Sequence, residues 1–139
     1  MKNLLIGFLM LISCRLSAQQ FDTTKRSDHK ITDSVFRKVE VEAYFPGGEQ
    51  MWNQYVQTQV EKDMNKLLKD KKSNGTCEVQ FIVDKDGTVT NVEALTLKNS
   101  FLAKVLVKAI KEGPKWVPAY QFGKPVKAWR RQKVTFRLP

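Results

Sequence analysis

The residues able to do chemistry are few and poorly placed for it. One histidine, His29, and two cysteines, Cys14 and Cys77, stand in 139 residues. A Ser-His-Asp or Cys-His site needs its imidazole held rigidly within hydrogen-bond reach of a nucleophile. His29 instead lies among Ser27, Asp28, Lys30 and Thr32, a polar stretch without the apolar periodicity that would fix it. One histidine and at most two cysteines fall short of a structural zinc site. Asp84 and Asp86 are the nearest approach to paired carboxylates, but Asp84-Lys85-Asp86-Gly87 reads as a hairpin turn, and the further acidic ligands of a calcium loop do not follow. Gly47-Gly48 follows no strand of a βαβ unit, so it is not a phosphate loop. Cys77 falls in a strand-like apolar alternation and reads as a small buried hydrophobe. The inventory leads away from an enzyme, a metal site, an organic cofactor and a small-molecule substrate.

Before these residues can be placed, the first segment has to be set aside. Met1-Lys2-Asn3 is a short basic start, Leu4 to Ser13 is an apolar run, and Leu16-Ser17-Ala18 precedes Gln19. That is the layout of a secretory signal peptide. The run is about 10 residues long, half of the roughly 20 that span a bilayer. The chain thus divides into a leader (1–18), a flexible polar lead-in (19–38) and a folded domain (39–139), and is expected to be periplasmic. A second cut also fits: Leu11-Ile12-Ser13-Cys14 matches a bacterial lipoprotein box, in which Cys14 is lipidated and tethers the protein to a membrane. The short run before Cys14 and the Arg15 after it favour cleavage at Ala18. Either cut removes Cys14 as a disulfide partner for Cys77.

The formal charge is +10, and loss of Lys2 and Arg15 with the leader leaves 22 basic against 14 acidic side chains. A basic protein attracts nucleic acid, anionic lipid or acidic proteins. In an exported chain nucleic acid fits least, and basic residues spread over several elements read as a solvated surface.

Val39 to Phe45 alternates weakly and suggests a short strand, broken by Pro46-Gly47-Gly48. From Glu49 the spacing predicts a helix: Trp52, Val56, Val60, Met64 and Leu68 recur every four residues, lysines gather towards Lys72, and Ser73-Asn74-Gly75 ends it. Thr76 to Asp84 alternates with Cys77, Val79, Phe81 and Val83 on one face. After the Asp-Gly turn, Thr88 to Leu97 returns as a second strand whose alternation falters at Asn91-Val92. Asn99 or Ser100 caps a second helix with the stripe Phe101, Leu102, Val105, Leu106, Ala109 and Ile110, ended by Gly113-Pro114. Lys115 to Pro125 reads as a loop. A last strand, Val126 to Leu138, turns Val134, Phe136 and Leu138 inward and Trp129, Arg131, Lys133, Thr135 and Arg137 outward. The fold class is α+β, a small antiparallel sheet with two helices packed on it in the order (β)-α-β-β-α-β.

Several of these stretches resemble the C-terminal domain of TonB energy transducers. Gly75-Thr76-Cys77-Glu78-Val79-Gln80-Phe81-Ile82-Val83-Asp84-Lys85-Asp86-Gly87-Thr88-Val89 is similar to that family's first hairpin. Pro114-Lys115-Trp116-Val117-Pro118-Ala119 and Gly123-Lys124-Pro125-Val126 look like its segment between second helix and last strand, and Val134 to Leu138 like its closing strand. Phe45-Pro46-Gly47-Gly48 resembles the lead-in of Bacteroidota versions. The Tyr-Pro pair that members often carry before the hairpin is replaced here by a charged connector, Lys69 to Asn74.

The resemblance implies recognition by strand addition, in which a short segment of an outer-membrane receptor, the TonB box, adds to the edge of the last strand. It implies Arg130, Arg131, Gln132, Lys133, Val134 and Thr135 as the pairing stretch. The expected partner is an outer-membrane TonB-dependent receptor or another envelope protein, and the same edge could join two copies in a homodimer. A different reading stays open, a structural envelope protein or lipoprotein that uses the fold to hold a protein or cell-wall partner. Trp52 reads as core, and Trp116 and Trp129 as core or core-edge packing rather than binding anchors.

Overall fold

The computed structural model describes residues 34–139. The leader, both its alternative cuts, Cys14 and His29 lie outside the described residues. Helix α1, Gly48–Lys62, starts beside Gly47, whose φ of 84° suits a residue without a Cβ. It buries Trp52 and Val56 one turn apart. The chain leaves helical geometry at Asp63 (φ −115°, ψ 18°), and α2, Met64–Lys69, begins directly after. The single helix expected from Glu49 to Lys72 is therefore two, and the domain has three helices where two were expected.

The cause lies in the spacing. At 3.6 residues per turn an every-fourth stripe drifts by about 40° per step, so Leu68 would face roughly 160° away from Trp52 on a straight helix. Leu67, with no exposed surface, enters the core in its place, and Leu68 is left 45% exposed.

A single 3₁₀ turn, Lys71–Ser73, closes this region and has a definite task. Helix α3, Phe101–Glu112, begins with backbone N–H groups that no helical carbonyl can take. The N–H of Phe101 donates to the Asp70 carboxylate, that of Leu102 to the buried Ser73 hydroxyl at 2.9 Å, and that of Ala103 to the Ser100 side chain at 3.0 Å. Ser73 in turn donates to Asp70 at 2.7 Å. Two segments thus cap one helix, with Ser100 as its N-cap residue.

Asp70 is held below the usual carboxylate range, first by the Phe101 N–H and then by the Ser73 hydroxyl, with a smaller share from Lys72. A carboxyl whose folded pKa is depressed adds stability above its unfolded value, near 3.9, and loses it as pH falls through the folded value. Thermal melts between pH 6 and pH 2 should show Tm starting to fall near pH 4. In Asp70→Asn, which keeps an acceptor but cannot titrate, that fall should be shallower.

The sheet has β1 (Gly75–Val83) at its centre, β2 (Val89–Ala94) on one side and β5 (Ala128–Phe136) on the other, all antiparallel. The register slips between Gln80↔Glu93 and Ile82↔Thr90, which puts one extra residue in β2. That bulge holds Asn91 at φ 52°, where the alternation falters in the sequence. In the β1–β2 turn, Gly87 (φ 85°) lies so close to the chain that a Cβ there would stand 2.1 Å from the Trp116 carbonyl oxygen. The carboxylates of Asp84 and Asp86 take part in the same turn, accepting the N–H groups of Lys85 and Thr88.

Strands β3 (Ala119–Gln121) and β4 (Lys124–Val126) form a small hairpin where a loop was expected. Its turn residues, Phe122 and Gly123, both have positive φ, the geometry of a two-residue hairpin loop. Val39 to Phe45 forms no strand. It makes single bridges, Val41 to Tyr120 and Tyr44 to Val117, and so runs beside the β3–β4 hairpin. Phe36, within the polar lead-in, bridges Ala128 at the start of β5.

The core lies between one sheet face and the helices. Cys77, Val79, Phe81 and Val83 of β1 are buried with Leu102, Leu106 and Ile110 of α3. An aromatic group completes it. Trp116 lies 4.8 Å from Phe81, 5.5 Å from Trp52 and 5.7 Å from Phe45, centroid to centroid. Among the described residues the clustered core residues fall between Ala43 and Ala128, with Phe36, Val134 and Phe136 packed against them. Burial pushes the Cys77 thiol up to about 11, so it is expected to react with a thiol reagent at pH 8 only as fast as the domain unfolds.

Candidate protein-interaction edge

Strand β5 borders the sheet, since among the described residues the order β2-β1-β5 has no further strand beyond it. Each β5 residue pairs with one of β1, from Ala128↔Val83 to Phe136↔Gly75. In an antiparallel ladder, alternate residues turn both backbone groups towards the partner and the rest turn theirs away. Phe36 shows which are which: its N–H donates to the Lys127 carbonyl at 2.8 Å, and the Trp129 N–H donates to the Phe36 carbonyl at 2.9 Å. The odd-numbered residues therefore address the open side. Phe36 takes up the Lys127 carbonyl and the Trp129 N–H, and among the described residues the outward N–H and C=O groups of Arg131, Lys133 and Thr135 have no strand beside them.

The structure places all six residues of the expected pairing stretch on this strand, in two different roles. Arg131, Lys133 and Thr135 are exposed on the outer face, over Gln80, Glu78 and Thr76 of β1. Arg131 lies 3.6 Å from Glu78, and the Thr135 hydroxyl 2.8 Å from that of Thr76. Lys133 has no ion-pair partner among the described residues. Arg130, Gln132 and Val134 are half-buried and share the opposite face, with backbone groups turned to β1. Arg130 pairs there with Glu42. Its Nε is buried with no hydrogen-bond partner among the described residues. Arg130 and Gln132 line a cleft of about 190 Å³ together with Tyr44, Glu49 and Trp52.

Sequence reasoning missed Phe36, Glu42 and Tyr44. Phe36 leaves a faint signal, a large apolar side chain in an otherwise polar stretch. Trp116 is buried as expected, and Trp129 is half-buried on the outer face with the Arg37 guanidinium 5.2 Å from its ring centroid. None of the described helices is long and apolar enough to cross a membrane.

A three-stranded antiparallel sheet backed by helices, with β5 at its edge, makes this an α+β domain. Residues 66–138 match the family described as Gram-negative bacterial TonB protein C-terminal. The match covers just over half of the chain, which belongs to this family and is a TonB-like protein-interaction module of the cell envelope. It starts within α2, so Val39 and α1, where the resemblance was also traced, lie outside it. No curated protein and no solved structure matches the chain significantly.

Proposed function

We propose that the domain works in the periplasm as a non-enzymatic partner in TonB-dependent transport, capturing a segment of an outer-membrane receptor as an added strand on β5. The observation that carries this reading is the open row of backbone groups at Arg131, Lys133 and Thr135, which spans about 13 Å. Main-chain hydrogen bonds along that row supply affinity whatever the peptide sequence, and flanking side chains supply selectivity. Arg131 and Lys133 favour an acidic segment on the outer face, an attraction that salt weakens. On the inner face, the cleft beside Arg130 and Gln132 offers room for one side chain of the added strand.

The test is an NMR titration of Gln19–Pro139 with receptor TonB-box peptides at two salt concentrations. Shifts clustered on Lys127 to Leu138 support strand addition. A folded domain that shows none at millimolar peptide overturns it and leaves a structural role in the envelope. The same edge fits a second copy of the chain, and a dimer formed that way would dissociate as peptide is added. Export is part of the proposal: mass spectrometry of the mature protein should find Gln19 at its N-terminus, whereas a lipidated Cys14 would make it a tethered lipoprotein.

A further inference from the structure

A second surface lies at the other end of the sheet. Lys66, Lys69, Lys71, Lys72, Lys98 and Lys104 are all exposed around the start of α3. They line two adjoining concavities of about 450 and 460 Å³ that share Lys72 and Asn99. Half-buried apolar side chains, Leu97 in one and Phe101 in the other, lie among them, and the Lys66 ammonium sits 5.4 Å from the Phe101 ring centroid. Two carboxylates are near. Asp70 is engaged with Ser73 and the Phe101 N–H, and Asp63 pairs with Lys66. The other five lysines have no ion-pair partner among the described residues.

The hairpin end of the sheet differs. There Lys115 and Lys127 each have a carboxylate 3.8 Å away, Asp86 and Asp84. The charge around α3 is also not an ordinary helix-terminus anion site, because the first N–H groups of α3 already have partners within the chain.

We infer that this face docks on a membrane surface rich in anionic lipid headgroups, whose phosphates enter the two concavities. Two observations favour lipid over an acidic protein. The bases lining the two concavities are all lysines, compact charges that meet phosphate without a fixed orientation, whereas the described arginines, able to fork onto a single carboxylate, are on β5 and beside it. The lysine charge is spread over α2, the 3₁₀ turn, the β2–α3 loop and α3, so several headgroups are engaged at once and the contributions of the lysines add. Strand addition at β5 is not needed for this docking.

The experiment is co-sedimentation of Gln19–Pro139 with phosphatidylglycerol-containing vesicles and with pure phosphatidylcholine vesicles, at low and high salt. Binding to the anionic vesicles alone, weakened by salt, is expected. The triple variant Lys69→Gln, Lys71→Gln, Lys72→Gln should partition roughly a hundredfold more weakly. Lys85→Gln with Lys124→Gln, at the hairpin end, should bind as the wild type does. Circular dichroism checks that each variant is folded, and unchanged binding of receptor peptide to the triple variant separates this surface from β5. Equal partitioning of wild type and triple variant, or no binding to anionic vesicles, overturns the inference. Displacement from the vesicles by a polyglutamate peptide at stoichiometric charge would also overturn it, in favour of an acidic protein.

Discussion

Proline at position 133 is expected to abolish capture of a receptor peptide while leaving the domain folded. The Lys133 N–H points to the open side of β5, so Lys133→Pro removes a donor that only an incoming strand would use, and proline is tolerated on a sheet border where the lost N–H faces solvent. One residue further along the outcome reverses. Val134 faces β1 opposite the buried Cys77. Val134→Pro removes a ladder bond and strands a buried acceptor, at a cost of about 1–3 kcal/mol. Titration with receptor peptide and urea melts of both variants separate the two effects. Lys133→Pro should lose at least tenfold in affinity with little change in midpoint, and Val134→Pro should lose stability first. Binding by Lys133→Pro at wild-type strength would sink strand addition on this side of β5.

The largest stability effect is expected at Trp116. Its ring contacts Phe45, Trp52 and Phe81, and its backbone N–H donates to the Gly87 carbonyl at 3.0 Å, so the side chain joins α1, β1 and the β1–β2 turn. Trp116→Ala empties a site whose walls are backbone and other rings, which cannot collapse inward far. The cost should reach about 3–5 kcal/mol, and a domain of this size would lose more than about 10 °C in Tm. Trp129→Ala is the control. That ring is half-buried on the outer face against Arg37, so about 1–2 kcal/mol is expected. A calorimetric comparison of the two variants decides whether the tryptophans are ranked correctly.

The parts of this fold that the sequence makes legible are those whose cause is local. The β1–β2 hairpin announces itself through the alternation of Cys77, Val79, Phe81 and Val83 and the Asp-Gly turn between its strands. Helix α3 does so through Ser100, a broad apolar stripe and Gly113-Pro114. The same holds for β5 as a strand with basic residues on its outer face. The missed features have distant causes. The break at Asp63 follows from the need to bury Leu67 and to bring Asp70 and Ser73 against Phe101 and Leu102, about 30 positions on. Strands of three residues, as in β3 and β4, are too short to show an alternation. The alternation that turns Val134 inward turns Arg130 inward too, but it cannot name the partner, Glu42, which is 88 positions away. Phe36, too, is tied to β5 by backbone bonds, which leave no mark in residue type.

Those two backbone bonds from Phe36 do more than tie down a segment. They take up the Lys127 carbonyl and the Trp129 N–H, so a strand added to β5 would find its first free groups at the Trp129 carbonyl and Arg131 and could run on towards Arg137. In a ladder with a side-chain period of two, moving by one residue would exchange every inner side chain for an outer one. A blocked end forbids sliding in that direction. For the proposed added strand Phe36 would therefore be a stop at that end, biasing which of its side chains reaches the cleft at Arg130 and which lies over Lys133.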